Sequence, residues 1–216
     1  TLFLVPSKHQ HLPNHSTRTL RRRSHEVIVI RLNACKGVII CVSKGSFMSG
    51  HRRLTLHIAT SSDGFIATTD DGLEWLPQPS GAEDYGMGAF METVDCVIIG
   101  RKTWDVIRHF EEEQFPNFER HILSYSTHDG TAFISELKQK RGKGIWLLGG
   151  GILNEECLKA NIIDEIVITK FPVELGEGIP VFGALGDCLP PQWEKVSQHL
   201  FSDGEIQSVW TPTVEN

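Results

Sequence analysis

The stretch Val97-Ile98-Ile99-Gly100-Arg101-Lys102-Thr103-Trp104 decides the fold class. A continuous apolar run from Cys96 to Ile99 suits a parallel strand buried on both faces. Gly100 ends it, and Lys102 to His109 then reads as a helix. A buried strand that delivers the chain straight into a helix N-terminus presents unpaired backbone N–H groups, which favour an anion. Gly100 permits close backbone approach, Thr103 adds a hydroxyl, and Arg101 and Lys102 add charge that suits a terminal phosphate more than a bare ribose diol. The same residues also suit an ordinary strand–turn–helix with solvated cations. A second element repeats the pattern: Ile145-Trp146-Leu147-Leu148-Gly149-Gly150-Gly151-Ile152. Three glycines opening a helix let a pyrophosphate lie against backbone amides, although the GxGxxG fingerprint is absent. Neighbouring strand ends in an α/β sheet share a crevice, so one dinucleotide could bridge both turns.

Working outward, the chain alternates strand and helix. Leu54–Thr60 reads as a buried strand, followed by a Ser/Asp/Gly/Pro-rich loop over 61–83. Asp84–Thr93 has Met87, Phe90, Met91 and Val94 at helical spacing. His121–Ser124 reads as strand, Ile134–Arg141 as helix, Ile152–Ala160 as helix and Glu165–Phe171 as strand. Glu194–Phe201 and Ile206–Trp210 flank Asp203-Gly204, a hairpin signal. The sum is a three-layer α/β fold: a mostly parallel mixed sheet with a C-terminal antiparallel hairpin and helices on both faces. Trp104, Trp146 and Phe182 read as core.

The 216 residues favour one domain, and 40% hydrophobic content is enough for a real core. The net charge of −6 conceals two regions of opposite sign. Residues 1–47 hold eight Lys/Arg against Glu26 alone, a balance of +7, leaving −13 for the rest. Val27–Ile30 and Val38–Val42 are strand candidates there. We read 1–47 as a basic N-terminal extension, whether read-through, non-native or targeting sequence, and 48–216 as the domain. The Arg21-Arg22-Arg23 run suggests a nucleic-acid arm, but the acidic body repels phosphate backbones. No apolar run reaches the roughly eighteen residues needed to cross a bilayer. Cysteines 35, 41, 96, 157 and 188 form no CxxC, which fits a reducing compartment, and a cytoplasmic location is expected. The histidines form no HExxH, and no metal is expected.

Taken together, the Gly100–Trp104 element, His121-Ile122-Leu123-Ser124 and the Gly149–Gly151 turn resemble dihydrofolate reductase in order and spacing. Ile58-Ala59 followed by Asp63-Gly64-Phe65-Ile66-Ala67 and Trp75 is similar to its first strand and mobile loop. Ser62–Ala67, Val94-Asp95, Ile163-Asp164-Glu165-Ile166 and Pro172–Phe182 resemble a narrower group more closely. That group is the reductase domain at the C-terminus of bifunctional riboflavin enzymes, with its stand-alone relatives. The resemblance covers about Leu54 to Trp210. It implies NADPH as cofactor and hydride transfer to a C=N bond of a pterin- or pyrimidine-like ring. It implies that Gly100, Arg101, Lys102, Thr103 and Ser124 hold the adenosine side with its 2′-phosphate. Gly149, Gly150, Gly151 and Ile152 would hold the diphosphate and nicotinamide ribose, with a cis Gly149–Gly150 peptide. Ala59 would meet the nicotinamide carboxamide.

Two departures stand out: Leu148 replaces an acid usual before the paired glycines, and His57 stands where a lysine is usual. For the proton, Asp84 lies sixteen residues before Gly100, an offset similar to that of the substrate-binding acid in dihydrofolate reductases. Asp63 is the second catalytic candidate, and Glu83 is the neighbour with which Asp84 competes. Each also has a plain structural reading, as a helix-start acid or a turn residue. Phe65 and Trp75 are expected beside the substrate with Asp84. True dihydrofolate reduction is the runner-up activity, and a non-catalytic NADPH-binding protein is the alternative of another class. A homodimer is expected, with Val167, Ile168 and the hairpin tail as its sequence support.

Overall fold

The computed structural model describes residues 51–76, 84–108, 117–124 and 129–213. The strand candidates at 27–30 and 38–42, and Glu83, lie outside them. The element order is β1 (Leu54–Thr60), β2 (Phe65–Ala67), α1 (Met87–Thr93), β3 (Val94–Gly100), α2 (Arg101–Ile107) and β4 (Glu119–Leu123). It continues with α3 (Gly130–Lys138), β5 (Gly144–Gly149), α4 (Gly151–Lys159), β6 (Glu165–Lys170), β7 (Ile179–Pro180), β8 (Trp193–Leu200) and β9 (Ile206–Pro212).

Seven strands form one sheet in the order β4-β3-β5-β1-β6-β9-β8. The first five run parallel, and β9 and β8 close the sheet antiparallel. This is the expected mixed sheet with a C-terminal hairpin. Apolar runs in β3 and β5 occur because both faces of those strands are covered. Alternating side chains divide the core accordingly. On one face Leu54, Leu56, Ile98, Ile145 and Leu147 pack against Ile134 and Leu137 of α3 and Leu153, Cys157 and Leu158 of α4. On the other, Val97, Ile99, Trp146 and Leu148 pack against Met87 and Phe90 of α1 and Trp104 and Ile107 of α2.

Two buried cations tie the strand entries together. Lys138, only 6% exposed, donates Nζ to Ile162 O at 2.6 Å and pairs with Asp164 Oδ2 at 2.7 Å. Asp164 Oδ2 also accepts the Leu54 N–H at 2.7 Å, which sets the start of β1. Arg52 pairs with Asp95, whose other oxygen accepts the Lys143 N–H at 2.9 Å. The Val94-Asp95 and Ile163-Asp164 pieces therefore fasten the end of the sheet where the parallel strands begin.

The structure differs from expectation in four places. Residues 61–83, read as loop, contain β2, which pairs with β7 in a second, two-stranded sheet. Helix α3 begins at Gly130 rather than Ile134, because Asp129 caps it by accepting the Ala132 N–H at 3.1 Å. Helix α1 begins at Met87 rather than Asp84, because Tyr85 and Gly86 have φ of 52° and 75°. Ile168, offered as dimer surface, is 7% exposed and belongs to the core.

Candidate active site

The C-terminal ends of β3 and β5 lie side by side, because these strands pair in parallel. The two glycine turns therefore meet. A Cβ on Gly100 would come within 3.1 Å of Gly149 O, so the backbones touch without room for a side chain. Thr103 Oγ1 accepts the Gly150 N–H at 3.0 Å, linking the start of α2 to the start of α4. The Gly149–Gly150 peptide is cis. Gly151 is packed so tightly that a Cβ there would lie 2.3 Å from Pro180 O, which brings β7 against the head of α4.

These turns open on a cavity of about 620 Å³, within the usual range of small-molecule and cofactor sites. Ala59, Gly100, Arg101, Lys102, Thr103, Ser124, Gly150, Gly151 and Ile152 all line it. Gly149 contacts Gly100 just behind the lining. Arg101 and Lys102 are exposed, with no ion-pair partner among the described residues. Ile152 is 57% exposed, an apolar side chain at the edge of the cavity. Backbone-lined turns flanked by two exposed cations suit a phosphorylated dinucleotide, so the residues present fit the implied cofactor.

The expected acids stand elsewhere. Neither Asp63 nor Asp84 lines the cavity. Asp84 is exposed, and its carboxylate accepts the N–H groups of Gly86 at 2.9 Å and Gly88 at 3.1 Å. Asp63 accepts from Ser61 Oγ at 2.6 Å, Gly176 N at 2.7 Å and Leu175 N at 3.2 Å. Desolvation raises its pKa, but these bonds outweigh that and hold the carboxyl below its ordinary value. Phe65 packs near Gly178 while its neighbours Ile66 and Ala67 face the cavity. Trp75 stands edge-on to Phe171 at 6.2 Å, and Leu73 and Leu76 line the cavity in its place.

Other polar residues reach the cavity instead: His57, Asp71, Tyr85, Glu156 and Thr169. Tyr85 donates its hydroxyl to Glu205 Oε1 at 3.1 Å, and Glu205 is 5% exposed. Gln207 Nε2 bonds both Tyr85 O at 2.9 Å and Thr169 Oγ1 at 3.0 Å. The hairpin thus fastens Tyr85 over the cavity. The sequence reading missed Tyr85, which it left inside the helical stretch from Asp84, and its partner Glu205 lies 120 positions away, beyond any local pattern.

At the opposite end of the parallel strands, Cys96, Glu119 and His121 bring donor atoms within 4.8 Å of one another. The Arg52 guanidinium, 3.5 Å from Glu119, repels a cation there, and burial pushes the Cys96 thiol up to about 11.

Fold and cavity define a dihydrofolate-reductase-like α/β protein. Residues 105–204 match the RibD C-terminal domain. The chain is 35% identical to the uncharacterized protein YwjB of Bacillus subtilis (strain 168), covering 62% of this chain and 84% of that one. It belongs to the RibD C-terminal domain family. A proposed riboflavin biosynthesis protein from Shewanella sp. PV-4 superposes with a TM-score of 0.57 at 27% identity, covering 75% of this chain and 99% of that one. A dihydrofolate reductase from Enterococcus faecalis, solved with NADP(H), has the same fold at a TM-score of 0.51 and 15% identity, covering 75% and 97% of the two chains.

Proposed function

We propose that this protein is an NADPH-dependent reductase that transfers a hydride to a C=N bond of a pterin- or pyrimidine-like heterocycle. The carrying observation is the meeting of the Gly100 and Gly149–Gly151 turns at one cavity, with Arg101 and Lys102 beside them. Bound NADPH supplies the hydride. Arg101 and Lys102, with Thr103 and Ser124, hold the adenosine side and favour a 2′-phosphate over a free hydroxyl. The backbone of Gly149, Gly150 and Gly151, with Ile152, holds the diphosphate and adjoining ribose. Ala59 presents its backbone to the nicotinamide. The apolar floor keeps water from the ring. Both expected acids are engaged outside the cavity, so on this reading neither Asp63 nor Asp84 delivers the proton.

The test is loss of reduced-nicotinamide absorbance when the protein meets NADPH and candidate rings, dihydrofolate among them. Oxidation of NADPH with a pterin or pyrimidine supports the reading, and antifolate-sensitive turnover of dihydrofolate would make it a true dihydrofolate reductase. A second reading, a non-catalytic NADPH-binding protein, is favoured by the position of Asp63 and Asp84 outside the cavity. It expects tight NADPH binding without turnover on any of these rings. We also propose a cytoplasmic homodimer that pairs through the edge strand β8, where Val196 and Leu200 are 52% and 66% exposed. Sedimentation as a monomer at high concentration would contradict it.

A further inference from the structure

The cavity floor on the α1 side of the sheet comes from β1, β5 and β6. Alternation along β1 sends Leu56 and Ile58 toward the α3 and α4 core and turns His57 to the other side. There its ring meets Phe90 of α1 edge-on at 4.7 Å. Trp146 braces the same spot, donating Nε1 to His57 O at 3.0 Å and packing edge-on against Phe90. His57 lines the cavity yet is only 6% exposed, and its Nδ1 has no hydrogen-bond partner among the described residues. Its polar neighbours are engaged: Thr169 Oγ1 with Gln207 and Tyr85 with Glu205. Met87, Trp146 and Leu148 supply the rest of this surface and are apolar. A buried nitrogen without a partner is costly, and at the wall of a cavity a group from outside the chain can supply the missing bond.

We propose that His57 is a specificity-determining residue of the cavity, whose imidazole hydrogen-bonds the polar edge of an uncharged flat heterocycle and selects it over a heterocycle that carries an anionic substituent. The proposal rests on the reductase reading for the direction from which the ring enters. Burial lowers His57 to about 4, so the imidazole is uncharged at neutral pH. An uncharged imidazole nitrogen either donates to the C=O or accepts from the N–H of a lactam edge, according to the tautomer. It offers no charge to an anion, and the cavity's exposed cations, Arg101 and Lys102, lie at the end of β3.

The test titrates the full chain, with NADP+ present, with pterin as the uncharged probe and uridine monophosphate as the anionic one. The nitrogen-15 resonances of the His57 ring are followed beside the affinities. Pterin is expected to bind and move those resonances, and uridine monophosphate is expected not to compete. His57→Phe, which keeps the packing on Phe90, is expected to weaken pterin by about tenfold. His57→Gln, which keeps a donor and an acceptor, is expected to retain most of the affinity. If either variant melts without cooperativity, the wild-type resonances still decide. Unmoved resonances on pterin binding, equal pterin affinity in wild type and His57→Phe, tighter binding of uridine monophosphate, or no pterin binding to protein that holds NADP+ would each overturn the proposal. A chain that binds pterin with the His57 shift but takes up no NADP+ would keep the proposal and remove the reductase reading.

Discussion

Asp63 and Asp84 each stand where backbone N–H groups need an acceptor, and each carboxylate is spent on them. Asp84 closes the turn into α1, where Tyr85 and Gly86 take positive φ. Asn at position 84 keeps one acceptor oxygen. Asp84→Asn is therefore expected to cost no more than about 1 kcal/mol of stability in urea unfolding, with turnover and NADPH affinity within about twofold of wild type. A hundredfold loss of turnover would return Asp84 to the chemistry. The offset from Gly100 was legible in the sequence, but the direction of the side chain was not, because a two-residue turn reverses it. His57 gives the opposite case, a group the sequence marked only as a departure. Burial holds it at about 4 against an ordinary 6.5. Between those values the unfolded chain binds the proton and the folded chain does not. Stability therefore falls as pH drops from 6.5 toward 4, by on the order of 3 kcal/mol once both states are protonated. His57→Gln should remove that slope from a pH series of thermal melts. Identical acid slopes in variant and wild type would contradict it.

At the scale of elements, the strands with covered faces were the easiest to read. Residues 54–60 were assigned to their full length, and the runs at 96–99 and 145–148 fell inside β3 and β5. The continuous apolar runs of β3 and β5, each ended by a glycine, leave few alternatives. The β2–β7 pair escaped because two or three residues carry no periodicity, and Pro180 does not read as strand. The two glycine turns were legible as anion-binding candidates, whereas the Thr103–Gly150 bond that joins them exists only once β3 and β5 pair. The Ile163-Asp164 piece looked like family signature and proves to be a fastening. Asp164 serves both the start of β1 and the buried Lys138. Asp164→Ala strands that cation and the Leu54 N–H, and is expected to cost roughly 3 kcal/mol. A loss under about 1 kcal/mol in denaturant unfolding would show that solvent replaces both bonds.

Across the whole molecule, the parallel strands divide the labour between their two ends. Where they begin, Arg52, Asp95, Lys138 and Asp164 fasten the sheet. Where they end, Gly100, Gly150 and Gly151 bring backbone to the lining of a cavity, beside Arg101 and Lys102, which have no ion-pair partner among the described residues. The hairpin belongs to the second end as well, since Glu205 and Gln207 hold Tyr85 in place. The central claim is that the two turns grip one dinucleotide bearing a 2′-phosphate. Calorimetric titration of wild type and Arg101→Ala with NADPH and with NADH tests it most directly. The account predicts one NADPH per chain and at least about a tenfold loss of NADPH affinity in Arg101→Ala, with NADH affinity little changed. No binding of NADPH, or equal losses for the two nucleotides, would contradict it.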